Sequence, residues 1–206
     1  MSHSELYDIF KDSYLYEKCY RKIKTMHLSS NGLVSGVFLP KFGAASDIKL
    51  GPMPLISPPF KWSCFPPTTE SFAITIVDYD TIPLLGFPWI HWVACNIPAH
   101  IRCLPENASQ IHSNIMCQGV NSYADGYTVN LKEIESFKVP RKSAACYGGF
   151  SPLGNPHLYT VTIYALNTTI DIKEGYTFNE LYNKMINHIV GTGYLHGIYD
   201  AKVAPL

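Results

Sequence analysis

Ser71-Phe-Ala-Ile-Thr-Ile-Val77, Trp89-Ile-His-Trp-Val-Ala-Cys-Asn-Ile97 and Leu158-Tyr-Thr-Val-Thr-Ile-Tyr-Ala-Leu166 are the three stretches that decide the fold. Each is a short run rich in β-branched and aromatic residues. The first ends at Asp78 and the second is closed by Pro98. Runs this apolar, with little alternation of polar residues, read as strands buried on both faces at the centre of a sheet. The fold class is therefore mostly β.

Outward from these strands, Lys24 to Leu28 leads to Asn31-Gly32, a strong hairpin turn pair, and Leu33 to Leu39 returns from it. Prolines in Gly51-Pro-Met-Pro54 and Ser57-Pro-Pro59 mark loops and strand edges, because proline donates no ladder hydrogen bond. Residues 107–146 are polar and rich in Ser and Asn, a surface excursion or a lid. Thr177-Phe-Asn-Glu180 has the form of a capping box, and Phe178, Leu181, Met185 and Ile189 follow on one helical face. Gly191 is a suitable stop for that helix, and Tyr194 to Val203 a last strand. Residues 1–24 read as an N-terminal extension, a short amphipathic helix or a frayed arm, and 25–206 as a single domain.

Composition narrows the function classes. The 206 residues are 47% hydrophobic and 16% charged, which excludes a disordered chain. Basic and acidic residues are equal at 16 each, so the basic excess of a nucleic-acid binder is missing and any anion site must be local. Charges interrupt the first 20 residues, and no stretch approaches the roughly 20 apolar residues of a membrane span. A cytoplasmic protein without stable membrane anchoring is expected. The six cysteines, with no C-x-x-C pair, read as free thiols, and neither a metal nor a cofactor is expected.

Polar groups gather at the strand ends. Asp78 and Asp80 follow the first strand, His91 interrupts the second, and His157 and Tyr159 open the third. Gly148 and Gly149 in Tyr147-Gly-Gly149 are candidates for an anion nest of inward-pointing N–H groups. Two histidines beside a carboxylate, with a tyrosine hydroxyl, would make a compact donor set for phosphate oxygens. Each also has a structural reading: a core histidine, an Asx turn after the strand, a strand aromatic.

Three blocks in order, Ser57-Pro-Pro-Phe-Lys-Trp62, Ser71 to Asp80 and Trp89 to Pro98, resemble the phosphatidylethanolamine-binding protein family. Gln118-Gly-Val-Asn-Ser-Tyr123 fits its bacterial, Raf kinase inhibitor-like branch, and Tyr147-Gly-Gly149, Pro152-Leu-Gly-Asn-Pro-His-Leu-Tyr159 and Tyr164-Ala-Leu-Asn167 resemble its second signature. The resemblance implies a large antiparallel sheet, a smaller sheet and peripheral helices, one of them near the C-terminus. It also implies an anion pocket lined by Asp78, His91, His157 and Tyr159, with Asp80, Trp89 and Gly149 nearby. Three departures stand out. Asp78-Tyr-Asp-Thr-Ile-Pro83 lacks the first proline of the family motif and carries the other one position late. Leu158 stands where the family usually has arginine, and Phe150-Ser-Pro152 replaces a more proline-rich rim.

The leading expectation is a binding protein for a small phosphate- or carboxylate-bearing ligand or a phospholipid head group, with a possible regulatory role. A protein-interaction scaffold or kinase regulator is the alternative function, and the partners expected are the small anionic ligand, a protein partner and a second copy of the chain in a homodimer. A hydrolase using the same His and Asp lacks a nucleophile elbow, since Gly149-Phe-Ser-Pro-Leu-Gly154 has the wrong spacing, and no Walker A or G-x-G-x-x-G motif is present.

Overall fold

The computed structural model describes residues 23–126 and 132–202. The N-terminal extension read over residues 1–24 lies outside them except for its last two positions. Along the chain run β1 (Lys24–Thr25), β2 (His27–Ser29), β3 (Leu33–Val34), β4 (Val37–Phe38), β5 (Lys49–Leu50), β6 (Met53–Pro54), β7 (Phe60–Ser63) and β8 (Ser71–Asp78). Then come helix α1 (Ile82–Leu85), β9 (Trp89–Pro98), β10 (Cys103–Leu104), helix α2 (Ala108–Ile111), β11 (Cys117–Gln118) and helix α3 (Lys132–Glu135). β12 (His157–Leu166), helix α4 (Phe178–Met185) and β13 (Ile189–Tyr199) follow.

The principal sheet has the order β11-β9-β8-β12-β13-β4-β3, with β1 also paired to β13. Its long strands β8, β9, β12 and β13 are antiparallel, whereas β1 and β4 join β13 in parallel. The sheet is thus mixed at one side, a refinement of the antiparallel expectation. A smaller sheet, β10-β7-β2, lies against it, where Trp62 meets Phe72 edge-on at 5.3 Å between ring centres.

β8 is buried along its whole length because both of its faces are covered. Phe72, Ile74 and Ile76 enter a core shared with Phe60, Trp62, Phe150 and Tyr159. Ala73 and Val77 enter a second core, closed by Leu181 and Met185 of α4. That helix starts as its sequence requires: Thr177 Oγ1 accepts from the Glu180 N–H at 3.3 Å, and the Glu180 carboxylate accepts from the Thr177 N–H at 2.7 Å.

Three local expectations are corrected. Asn31-Gly32 makes a turn but not a hairpin, because β2 before it pairs with β7 while β3 after it pairs with β4. The hairpin closes one turn later at Ser35-Gly36, whose φ angles of 50° and 82° are the left-handed pair a two-residue loop needs. Gly191 does not end the helix, which stops at Met185, and β13 begins at Ile189 rather than Tyr194. Glycines in β13 let other groups lie close against the strand: a Cβ on Gly193 would sit 2.9 Å from the Met26 carbonyl oxygen, and one on Gly197 only 2.4 Å from the Phe38 ring.

Candidate functional site

Period-two alternation places His157 and Tyr159 on one face of β12. Tyr159 is the register partner of Asp78, the last residue of β8, so all three side chains converge at one end of the sheet. His91 joins them by a different device. The β8–β9 register pairs Ile76 with Trp92 but Val77 with Ile90, leaving His91 as the extra residue of a β-bulge. Strict alternation would put His91 on the side of Val93, in the α4 core. The bulge re-aims it instead, and its ring centre lies 5.2 Å from Tyr159 and 5.7 Å from Phe150.

Asp78 is buried and both of its carboxylate oxygens are used. One accepts from the Asp80 N–H at 2.9 Å, an Asx turn, and the other accepts from Nδ1 of buried His157 at 2.7 Å. Asp80 in turn accepts the Leu158 N–H at 2.8 Å, tying the β8 end to the start of β12. The structural reading of Asp78 as an Asx turn holds, and the same carboxylate also orients His157. Pro83, the displaced proline, falls in the first turn of α1, where its missing N–H is harmless. Thr81 secures this turn, since its hydroxyl faces the carbonyls of Asp78 and Phe87 and accepts the Trp89 N–H.

A cavity of about 20 Å³ opens beside this cluster. Asp78, Trp89 and His91 of the expected set line it, together with Thr81, Leu85 and Tyr123. Ile134, Phe137, Ser151 and Leu153 complete the wall. His157, Tyr159, Asp80 and Gly149 are not among its lining residues. The cavity exceeds the roughly 10–15 Å³ that one water needs. Tyr123, Ile134 and Phe137 come from the 107–146 segment, which at this end is wall rather than solvated excursion. Tyr123 belongs to the Gln118–Tyr123 block, the signal that could have marked it. Nothing in the local sequence marks Ile134 or Phe137.

Two expectations about donors change. Gly148 and Gly149 do not form an anion nest, because their N–H groups bond the carbonyls of His91 and Pro54, each at 2.8 Å. Gly149 serves close packing: a Cβ there would lie 2.5 Å from Pro54. Its carbonyl accepts the Tyr123 hydroxyl at 2.7 Å. His91, expected to be protonated beside the carboxylate, is instead held below its ordinary value, because burial outweighs the attraction of Asp78. Its Nδ1 lies 2.7 Å from the Gly148 carbonyl, which can only accept, so Nδ1 carries the ring proton. The Tyr159 hydroxyl is buried without a hydrogen-bond partner among the described residues, and burial raises it well above the ordinary phenol range, so it keeps its proton. A cation stands near the mouth, where Lys138 Nζ lies 5.2 Å over the Trp89 ring.

The depressed His91 value sets a pH dependence. Above the ordinary value of 6.5 the ring is neutral in both folded and unfolded chains. Below it the unfolded chain takes up the proton first, so stability falls as pH falls toward the lower, folded value. Urea denaturation should show a decline that starts near pH 6.5 and is shallower in His91→Gln. Parallel profiles for the two proteins down to about pH 5 would contradict this assignment.

The family model for phosphatidylethanolamine-binding protein matches residues 29–200. The YxkA protein of Bacillus subtilis is 39% identical over 137 residues, 66% of this chain and 77% of that relative. Among solved structures, a phosphatidylethanolamine-binding protein homolog of Chlamydia trachomatis superposes with a TM-score of 0.65 at 23% identity, over 86% of this chain and 98% of that one. YbcL of Escherichia coli does so with a TM-score of 0.65 at 24% identity, over 86% and 99%. At these identities the two structures support the fold alone.

Proposed function

We propose that this chain, which belongs to the phosphatidylethanolamine-binding protein family, binds a small oxyanion-bearing ligand at the Asp78–His157 end of its principal sheet. The observation that carries the reading is the convergence of Asp78, His91, His157 and Tyr159 at one end of the sheet, beside a cavity that Asp78 and His91 line. Lys138 beside Trp89 adds positive charge at the mouth. Phosphate, carboxylate and phospholipid head groups share the required chemistry. Binding is non-covalent and needs neither cofactor nor metal, and a cytoplasmic protein that binds no nucleic acid and has no stable membrane anchor is the setting we infer.

Calorimetric titration of phosphate, phosphoethanolamine and acetate into wild type, Asp78→Asn and His157→Ala tests this. Saturable binding by wild type that weakens at least about tenfold in both variants is expected, since each removes a hydrogen bond with a charged or ionisable partner. Binding of the same strength in correctly folded variants, or none by wild type, would sink the reading.

One feature favours a second reading, a protein partner at the cavity mouth. Tyr79, Ile82, Leu84 and Leu158 are exposed by 51%, 44%, 56% and 46% around it, an apolar rim of the kind that marks interaction surfaces. Partner binding that survives His157→Ala would favour the rim over the cavity.

A further inference from the structure

We propose that the ligand oxygen reaching the bottom of the cavity carries a proton, so that the site selects protonated oxyanions, such as hydrogen phosphate, over fully deprotonated ones, such as sulfate, with His91 as the specificity-determining residue. This rests on the anion-binding reading above and narrows it. Of the polar groups that line the cavity, the Trp89 indole and the Ser151 hydroxyl can donate, whereas those around Asp78 and His91 face a ligand as acceptors. With Nδ1 donated to the Gly148 carbonyl, the ring atom His91 has left for a ligand is Nε2, which in the neutral imidazole is a lone pair. Burial keeps the ring neutral. Asp78 presents a carboxylate whose two bound donors leave lone pairs unused. The Tyr123 hydroxyl lines the same wall and has given its proton to the Gly149 carbonyl. Thr81 is likewise committed to the backbone around it.

A bare anionic oxygen placed among these groups meets a lone pair and a carboxylate where it needs donors. A P–OH oxygen meets Nε2 of His91 as a donor, while the remaining phosphate oxygens stay toward the mouth, on the side of Trp89 and Lys138. A site built around a required donor discriminates strongly against an otherwise isosteric ligand that lacks it, because its buried polar groups are then left unpaired.

The test is a pair of titrations of inorganic phosphate and sulfate into the full chain at about pH 8, where phosphate is mainly the singly protonated dianion. The two ions then share charge and shape and differ by one proton. Phosphate binding about 100-fold tighter than sulfate or better is expected. In His91→Gln, whose amide can turn its N–H groups inward, the ratio should collapse toward one through a gain in sulfate affinity. Equal affinities in wild type, or tighter sulfate, overturn the proposal while leaving the anion site standing. Binding of neither ion removes the anion site itself and the inference with it. Should His91→Gln fail to fold, the wild-type ratio still decides.

Discussion

Asp78→Ala is expected to destabilise the chain by about 2–4 kcal/mol, because it strips one buried and one half-buried donor of their acceptor, at about 1–3 kcal/mol for the buried one, and leaves a gap beside them. The donors are the half-buried Asp80 N–H at 2.9 Å and buried His157 Nδ1 at 2.7 Å. The loss propagates, because Asp80 holds the Leu158 N–H at the start of β12. Urea denaturation measures the effect, and Asp78→Asn, which retains one acceptor oxygen, should lose clearly less. A loss under about 1 kcal/mol for Asp78→Ala would mean that water replaces the carboxylate and that the site is wetter than its burial implies.

Phe150→Ala should lose a similar amount, about 3–5 kcal/mol, for an apolar reason. Its ring is fully buried and lies 4.7 Å from Phe38, 4.3 Å from Tyr159 and 5.5 Å from Tyr199 between centres. These rings come from separate parts of the chain, so the hole cannot close by one side chain swinging inward. Differential scanning calorimetry should show a melting temperature lower by roughly 10 °C for a chain of this size. Leu158→Ala, on the exposed side of β12, should change it little. Equal shifts for the two would mean that the core near Phe150 relaxes freely. The substitution also bears on function, since Phe150 backs both His91 and Tyr159.

The central strands were legible because their information is local. Apolar runs bounded by Asp78, Pro98 and the glycines before His157 fix β8, β9 and β12 to within a residue. The capping box at Thr177 was legible for the same reason. What failed depends on where a segment goes rather than on what it contains. Asn31-Gly32 has hairpin chemistry, yet the strands on its two sides belong to different sheets. Gly191 has helix-stop chemistry, yet it stands in β13 opposite Ala165, where the side chains of Pro66 and Met26 come close.

At the site the same division holds. The identities of Asp78, His91, His157 and Tyr159 came from motif resemblance, and alternation alone puts His157 and Tyr159 together. The bulge that turns His91 toward them is a mismatch between two strands, and neither strand's own sequence carries it. The nest expected at Gly148 and Gly149 failed because both N–H groups are consumed by partners distant in sequence. His91 was read as charged from its carboxylate neighbour, and only its depth in the fold shows that desolvation wins.

The position of β13 has a kinetic consequence. It is the last of the long strands in the chain, yet it pairs with β12 along its length and holds β1 and β4, which lie more than 150 residues earlier. Closing contacts of such separation loses chain entropy before any stabilisation is gained, and sheets built this way fold on the millisecond-to-second scale. Until residues 189–199 have been synthesised, the edge of β12 stays open and the early hairpin has no sheet to join. The exposed edge of the buried, β-branched strand β12 is then an aggregation hazard during translation, and its protection falls to the cell's chaperones rather than to the fold.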